Sequence, residues 1–317
     1  MSICTVSIHE CPETATPSLE NRAGPVVPAT WPIEQRETLI GGMRMHTRCA
    51  GSGAPLVLVH GLLGAASCWD PAMRLLAGGA RVYAPDAIGI GRSERVPGLD
   101  AGLAASAHRL AAWMDAEQIA QAYVVGTSHG GAVAMYFAAL FPQRVQRLVL
   151  HAPANPFCEA SRPQIRFACT RPGRRLARSL PVAPSWLHRT ALTRMYGDPA
   201  RVRPGSLQEY VDSLRVPGTT EYLLSVLGSW QQDMAALLPL LPRLRALPVH
   251  LLWGEMDRAV SYASALRLKA VLKAPLDVLT GLGHLPFEEA PEIFAVKLKS
   301  IFSDLFERPD QPRTIWI

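Results

Sequence analysis

The chain has 317 residues, with 32 basic and 26 acidic side chains (net +6), six cysteines and nearly half its residues apolar. At that length a fold buries about three quarters of its unfolded surface, so it needs neither disulfides nor a structural metal, and no metal or cofactor is expected. Cys4, Cys11, Cys49, Cys68, Cys158 and Cys169 match no metal-ligand spacing and the start lacks a secretory leader; the expectation is a cytoplasmic chain with free thiols and no membrane span. The basic residues are 28 Arg and 4 Lys without aromatic interleaving, so no nucleic-acid partner is expected. Oligomeric state is left open.

Residues 1–34 hold Pro12, Pro17, Pro25, Pro28 and Pro32 among polar residues and read as a flexible N-terminal arm. Thr38-Leu39-Ile40 and Met43 to Arg48 flank a Gly41-Gly42 turn as two short strands. Aliphatic runs typical of doubly buried strands follow at 55–59, 81–84, 122–125 and 145–150, and return at 249–253 and 276–279. Helical patterns lie between them, at 101–114, 129–141, 261–272 and 288–306. Alternating strands and helices predict an α/β fold with a mostly parallel eight-stranded sheet covered by helices on both faces.

The alternation stops over residues 156–240, which read as a helical insertion, leaving 35–155 and 241–317 as the core. From Phe157 to Arg215 there are 11 Arg against 4 acidic residues, so the basic excess is local to this insertion. Its face is either simply solvated or a rim that attracts anionic substrates or a membrane surface.

Gly126-Thr127-Ser128-His129-Gly130 follows the run Tyr123-Val124-Val125 directly and leads into the helical pattern. A strand, a sharp turn and a helix would expose the Ser128 hydroxyl at a strained position, with Gly126 and Gly130 admitting neighbouring backbone. Three further features keep company with it. His60-Gly61-Leu62-Leu63-Gly64 follows the third strand, Asp86 to Ser93 follows the fourth, and the last two strands end in Gly254-Glu255-Met256-Asp257 and Gly281-Leu282-Gly283-His284. This set, in this order, resembles the α/β-hydrolase family with a helical cap domain, over about Glu37 to Phe306.

The chemistry explains the residue types. A serine hydroxyl is too weak an acid to attack a carbonyl unaided, so it needs a base, and His284 is placed to supply one. Asp257 would fix the tautomer of that imidazole, and the chain order Ser128, Asp257, His284 is the family's. Glu255 is a rival acid on the same loop. His60, His129, His151 and His250 are rival bases, of which His60 fits a brace for the oxyanion loop better. The resemblance implies that the amides of Leu62 and His129 hold the oxyanion, with Gly61 allowing a close approach, each donor contributing roughly 3–4 kcal/mol to the transition state.

These readings predict a serine hydrolase that cleaves a carboxylic ester of a small, largely apolar substrate. Leu63, Phe157, Trp186, Met195, Tyr196, Trp230 and Leu285 are the candidates for its pocket. A serine at position 128 excludes relatives that use aspartate to open epoxides or displace halide. Two alternatives stay open. The same triad runs carbon–carbon bond hydrolysis and other non-ester chemistry, although those relatives often carry Ser-Gly-Pro-Gly where this chain has Leu62-Leu63-Gly64-Ala65. A non-catalytic small-molecule receptor on the same scaffold is the other.

Overall fold

Every apolar run singled out above forms a strand in the computed structural model, which describes residues 31–158 and 162–306. The expected arm, up to residue 30, lies outside the described residues, as do Cys4 and Cys11. The strands are β1 (Glu34–Ile40), β2 (Met43–Ala50), β3 (Pro55–Val59), β4 (Arg81–Pro85), β5 (Ala122–Thr127), β6 (Val145–His151), β7 (Val249–Gly254) and β8 (Leu276–Leu279). They form one sheet in the order β1-β2-β4-β3-β5-β6-β7-β8. The pairs β1–β2 and β2–β4 are antiparallel and the rest parallel.

β1 begins at Glu34, inside the segment read as an arm. Its first four residues are polar and exposed on a sheet edge, so no apolar alternation marks them. They are held instead by pairing with β2, Glu34 opposite Cys49.

The helices are α1 (Asp70–Leu76), α2 (Leu103–Ala116), α3 (Ser128–Leu140), α4 (Arg162–Cys169), α5 (Arg171–Ser179), α6 (Ser185–Thr193), α7 (Ser206–Arg215), α8 (Thr219–Leu237), α9 (Tyr262–Leu272), α10 (Pro286–Glu289), α11 (Pro291–Ile301) and α12 (Ser303–Phe306). The single helical stretch expected over 288–306 is three helices. Pro291 lacks the N–H that a continuing helix needs, so it opens α11 and ends α10.

Side-chain alternation in the central strands divides the core. Leu56 and Leu58 of β3 join one buried cluster with Trp69, Met73, Phe294 and Phe302, whereas Val57 joins another with Leu110, Trp113, Phe137 and Leu241. The sheet is therefore covered on both faces, each such buried side chain contributing about 1.5–3 kcal/mol.

Helices α4 to α8 all fall between β6 and β7, which is the expected helical insertion. Most of α5, including Arg171, Arg174, Arg175 and Arg178, is exposed, so its charges are solvated. Among the described residues no helix is long and apolar enough to cross a membrane. Among the described residues Cys49, Cys68 and Cys169 are free thiols, and Cys158 is buried against Ser264.

Candidate active site

Ser128 sits where β5 becomes α3, with no loop between them. Its φ of 52° is left-handed, a conformation that non-glycine residues adopt at a cost of order 1–3 kcal/mol. The turn is tight enough that its flanks must be glycine. A β-carbon at Gly130 would collide with the carbonyl oxygens of Val59 and His60, and one at Gly126 would stand 2.7 Å from the Gly130 oxygen. Gly61 passes Ser128 itself, since its β-carbon would lie 3.1 Å from Ser128 Cβ.

His284 and Asp257 come from loops that follow β8 and β7. Asp257 Oδ2 lies 2.7 Å from His284 Nδ1, with side chains 1% and 4% exposed. The other carboxylate oxygen accepts from the amides of Ala259 at 2.7 Å and Val260 at 3.0 Å, which fixes its orientation. Burial alone would raise this carboxyl. The facing His284, the hydrogen bond between them and the Val260 amide outweigh it and hold Asp257 below the usual carboxylate range. Glu255, the rival acid, is exposed and instead accepts from the Gly281 amide at 2.8 Å.

Since Asp257 occupies Nδ1, Nε2 is the atom His284 has left for Ser128. Both residues line one cavity of about 200 Å³, with Gly61, Leu62 and Leu63 on another wall. No hydrogen bond joins the hydroxyl and the imidazole in this arrangement. Such bonds are often long before substrate binds.

Three of the four rival histidines have other partners. His60 Nδ1 faces the Gly61 carbonyl at 2.8 Å and its Nε2 accepts from the Ala87 amide at 3.0 Å, so its ring staples the loop that carries Leu62. His151 Nδ1 pairs with Thr127 Oγ1 at 2.9 Å, and burial, with His284 nearby, depresses its imidazole to about 3. His250 pairs with Asp277 at 3.0 Å. The His129 amide lies in the first turn of α3, where helical N–H groups have no intrahelical acceptor and stay available for an anion.

Of the seven expected pocket residues, Leu63, Met195 and Leu285 line this cavity. The other four lie elsewhere. Trp186 is 65% exposed, and Tyr196 is buried with its hydroxyl donating to Glu288. Trp230 lines a separate surface groove, and Phe157 packs under the Arg267 guanidinium, 4.7 Å from its ring centre. The walls not anticipated are Cys68, Leu192, Tyr210 and Phe287. Aromatic content alone could not rank them, because which face of a cap helix points inward is set by how that helix docks.

Two glutamates just past His284 were also missed. Glu288 is buried and accepts from the hydroxyls of Tyr196 and Tyr210. Glu289 takes the amides of Gly197, Asp198 and Gly283, at 3.0, 2.9 and 2.9 Å. Together with the 2.6 Å bond from the His284 amide to the Met195 carbonyl, it ties the histidine loop to the helical insertion.

Residues 54–291 match the family model described as alpha/beta hydrolase fold. The chain belongs to the α/β-hydrolase family. It is 28% identical over 273 residues to an uncharacterised protein of Mycobacterium tuberculosis, covering 80% of this chain and 77% of that one. A shorter stretch of 118 residues is 39% identical to a 2-hydroxy-6-oxo-2,4-heptadienoate hydrolase of Pseudomonas putida, covering 36% of this α/β-hydrolase and 43% of that enzyme. Among solved structures, an epoxide hydrolase superposes with a TM-score of 0.75 at 22% identity, covering 86% of this chain and all of that one, 100%. That likeness concerns the fold, since the chain carries serine at the elbow.

Proposed function

We propose that this α/β-hydrolase cleaves a carboxylic ester of a small, largely apolar substrate through an acyl-enzyme on Ser128. The observation that carries the reading is the left-handed Ser128, which opens onto the same cavity as His284, whose imidazole pairs with Asp257. In the proposed cycle His284 Nε2 takes the hydroxyl proton as Ser128 Oγ attacks the acyl carbon. Asp257 stabilises the imidazolium that forms. The amides of Leu62 and His129 receive the oxyanion, and His284 returns the proton to the leaving alcohol. Water then repeats the sequence to free the acid. Helices of segment 156–240 act as the cap, supplying Leu192, Met195 and Tyr210 to an apolar wall. No cofactor has a part in this cycle.

Carbon–carbon bond hydrolysis is the second reading, favoured by the 39% identity over 118 residues to the heptadienoate hydrolase. The same residues would serve, with a carbon leaving group protonated in place of an alcohol. A panel of p-nitrophenyl esters of graded acyl length, run beside vinylogous diketones, separates the two. The proposal expects turnover of short esters. Turnover of the diketones alone would transfer the site to the second reading, and turnover of neither would favour a receptor.

A further inference from the structure

Behind the oxyanion loop lies a second, smaller cavity of about 40 Å³, whose polar lining comes from His60, Ser106, Arg109, His129 and Tyr222. Leu62 lines the larger cavity beside Ser128 and packs against the cluster that includes Tyr222, which lines the smaller one. His129 is only 6% exposed, yet its Nε2 has no hydrogen-bond partner. Buried polar atoms are almost always paired, so a ring nitrogen facing a cavity without a partner marks a place for a ligand atom.

Arg109 brings the charge. One of its terminal nitrogens donates to the Asp100 carbonyl at 2.7 Å and to Ser106 Oγ at 3.2 Å, and its remaining N–H groups have no acceptor among the described residues. It makes no ion pair with a carboxylate there. The side chain is half-buried, and that burial pulls its guanidinium below the usual range, with Tyr222 and Asp100 only partly offsetting this. Burial also keeps Tyr222 protonated, its hydroxyl pushed up to about 12, and keeps His129 neutral, its imidazole drawn down to about 4. The lining thus offers a guanidinium, the Tyr222 hydroxyl, and a neutral imidazole that donates when its proton sits on Nε2, while the Ser106 hydroxyl donates to the Ala101 carbonyl. A group that only accepts hydrogen bonds and carries negative charge complements it. At about 40 Å³ against about 200 Å³ for the cavity beside Ser128, the space favours a small anion such as a carboxylate.

We propose that the cavity bounded by Arg109, His129, Ser106 and Tyr222 is a carboxylate-binding subsite. Its occupant is either a carboxylate carried by the substrate past Leu62 or a free short carboxylate such as the acid released by the reaction. The first source rests on the hydrolase reading and the second does not.

Calorimetry of acetate and propionate against acetamide and propionamide tests the site without turnover. The carboxylates should bind the wild-type protein about 10- to 100-fold more tightly than the amides, as one charge-assisted contact implies. Arg109→Gln should erase that preference, Arg109→Lys should keep part of it, and His129→Phe should weaken it. Equal affinity for acid and amide, or no binding of either, would show that the cavity holds only water and overturn the proposal even if Arg109→Gln fails to fold. A preference that survives in folded Arg109→Gln would overturn it as well. Kinetics then assign the source. If the substrate supplies the carboxylate, p-nitrophenyl hemisuccinate should exceed its amide analogue in kcat/KM by a similar factor and acetate should compete. If the occupant is free, acetate should act without competing. Loss of all esterase activity with binding intact would sink the function and leave the subsite standing.

Discussion

Glu289 accepts a 2.9 Å hydrogen bond from the amide of Gly283, one residue before the histidine proposed as base. The same carboxylate holds Gly197 and Asp198 of the helical insertion, so that insertion and the loop carrying His284 share a buried anchor. Glu289→Gln keeps the shape but turns an NH₂ group toward amide donors. It should lower stability by about 2–4 kcal/mol, because buried donors lose their acceptor. kcat should fall about tenfold as His284 loses its fixed position. Urea unfolding and ester kinetics check both, and a variant with wild-type values of each would remove the anchoring role.

Strain at the elbow makes a separate forecast. Ser128→Gly and Ser128→Ala both remove the proposed nucleophile, and each should lower kcat by about 10⁵. Only glycine relaxes the φ of 52°. Thermal unfolding should therefore find Ser128→Gly more stable than Ser128→Ala by about 1 kcal/mol. The reverse order would mean that the turn stores no strain.

At Gly130 the constraint is contact. Because a β-carbon there meets the carbonyl oxygens of Val59 and His60, neither of which can rotate away, Gly130→Ala should displace the oxyanion loop. A stability loss of about 3 kcal/mol or more is expected, with activity lost in whatever folds. Gly98→Ala is the control, since no atom lies within 4 Å of its added carbon, although its φ of 69° still imposes some strain. Equal behaviour of the two variants would contradict the packing account.

Glu288 gives the chain a pH signature. Burial raises its carboxyl to about 7, and the hydrogen bonds from Tyr210 and Tyr196 offset that only in part; Glu209 pushes the same way as burial and Arg203 opposes it. A folded pKa above the unfolded value contributes stability that is complete below about 4.5 and lost as pH rises through 7. Glu288→Gln should accordingly gain on the wild type between pH 5 and pH 8, by on the order of 3 kcal/mol across the window. Melting both proteins across that range shows the gap widening, whereas a constant gap would place the ionisation outside it.

The eight strands were legible because doubly buried strands are written as continuous aliphatic runs, and β1 was truncated because an edge strand needs no such run. Ser128 was legible as a glycine-framed turn, and Asp257 and His284 as residues closing the last two strands. The pocket was not. Leu192 and Tyr210 face it while Trp186 faces solvent, a difference made by helix docking and invisible in composition. Glu289 escaped for another reason, since its partners are backbone amides and every residue but proline offers one.

Fluorophosphonate labelling followed by peptide mass mapping tests the activated serine most directly. The wild-type protein should carry the label on Ser128, and His284→Ala should lose it while remaining folded. Labelling of Ser128 at an undiminished rate in His284→Ala, or a folded wild-type protein that takes no label there, would contradict a nucleophile activated by that histidine.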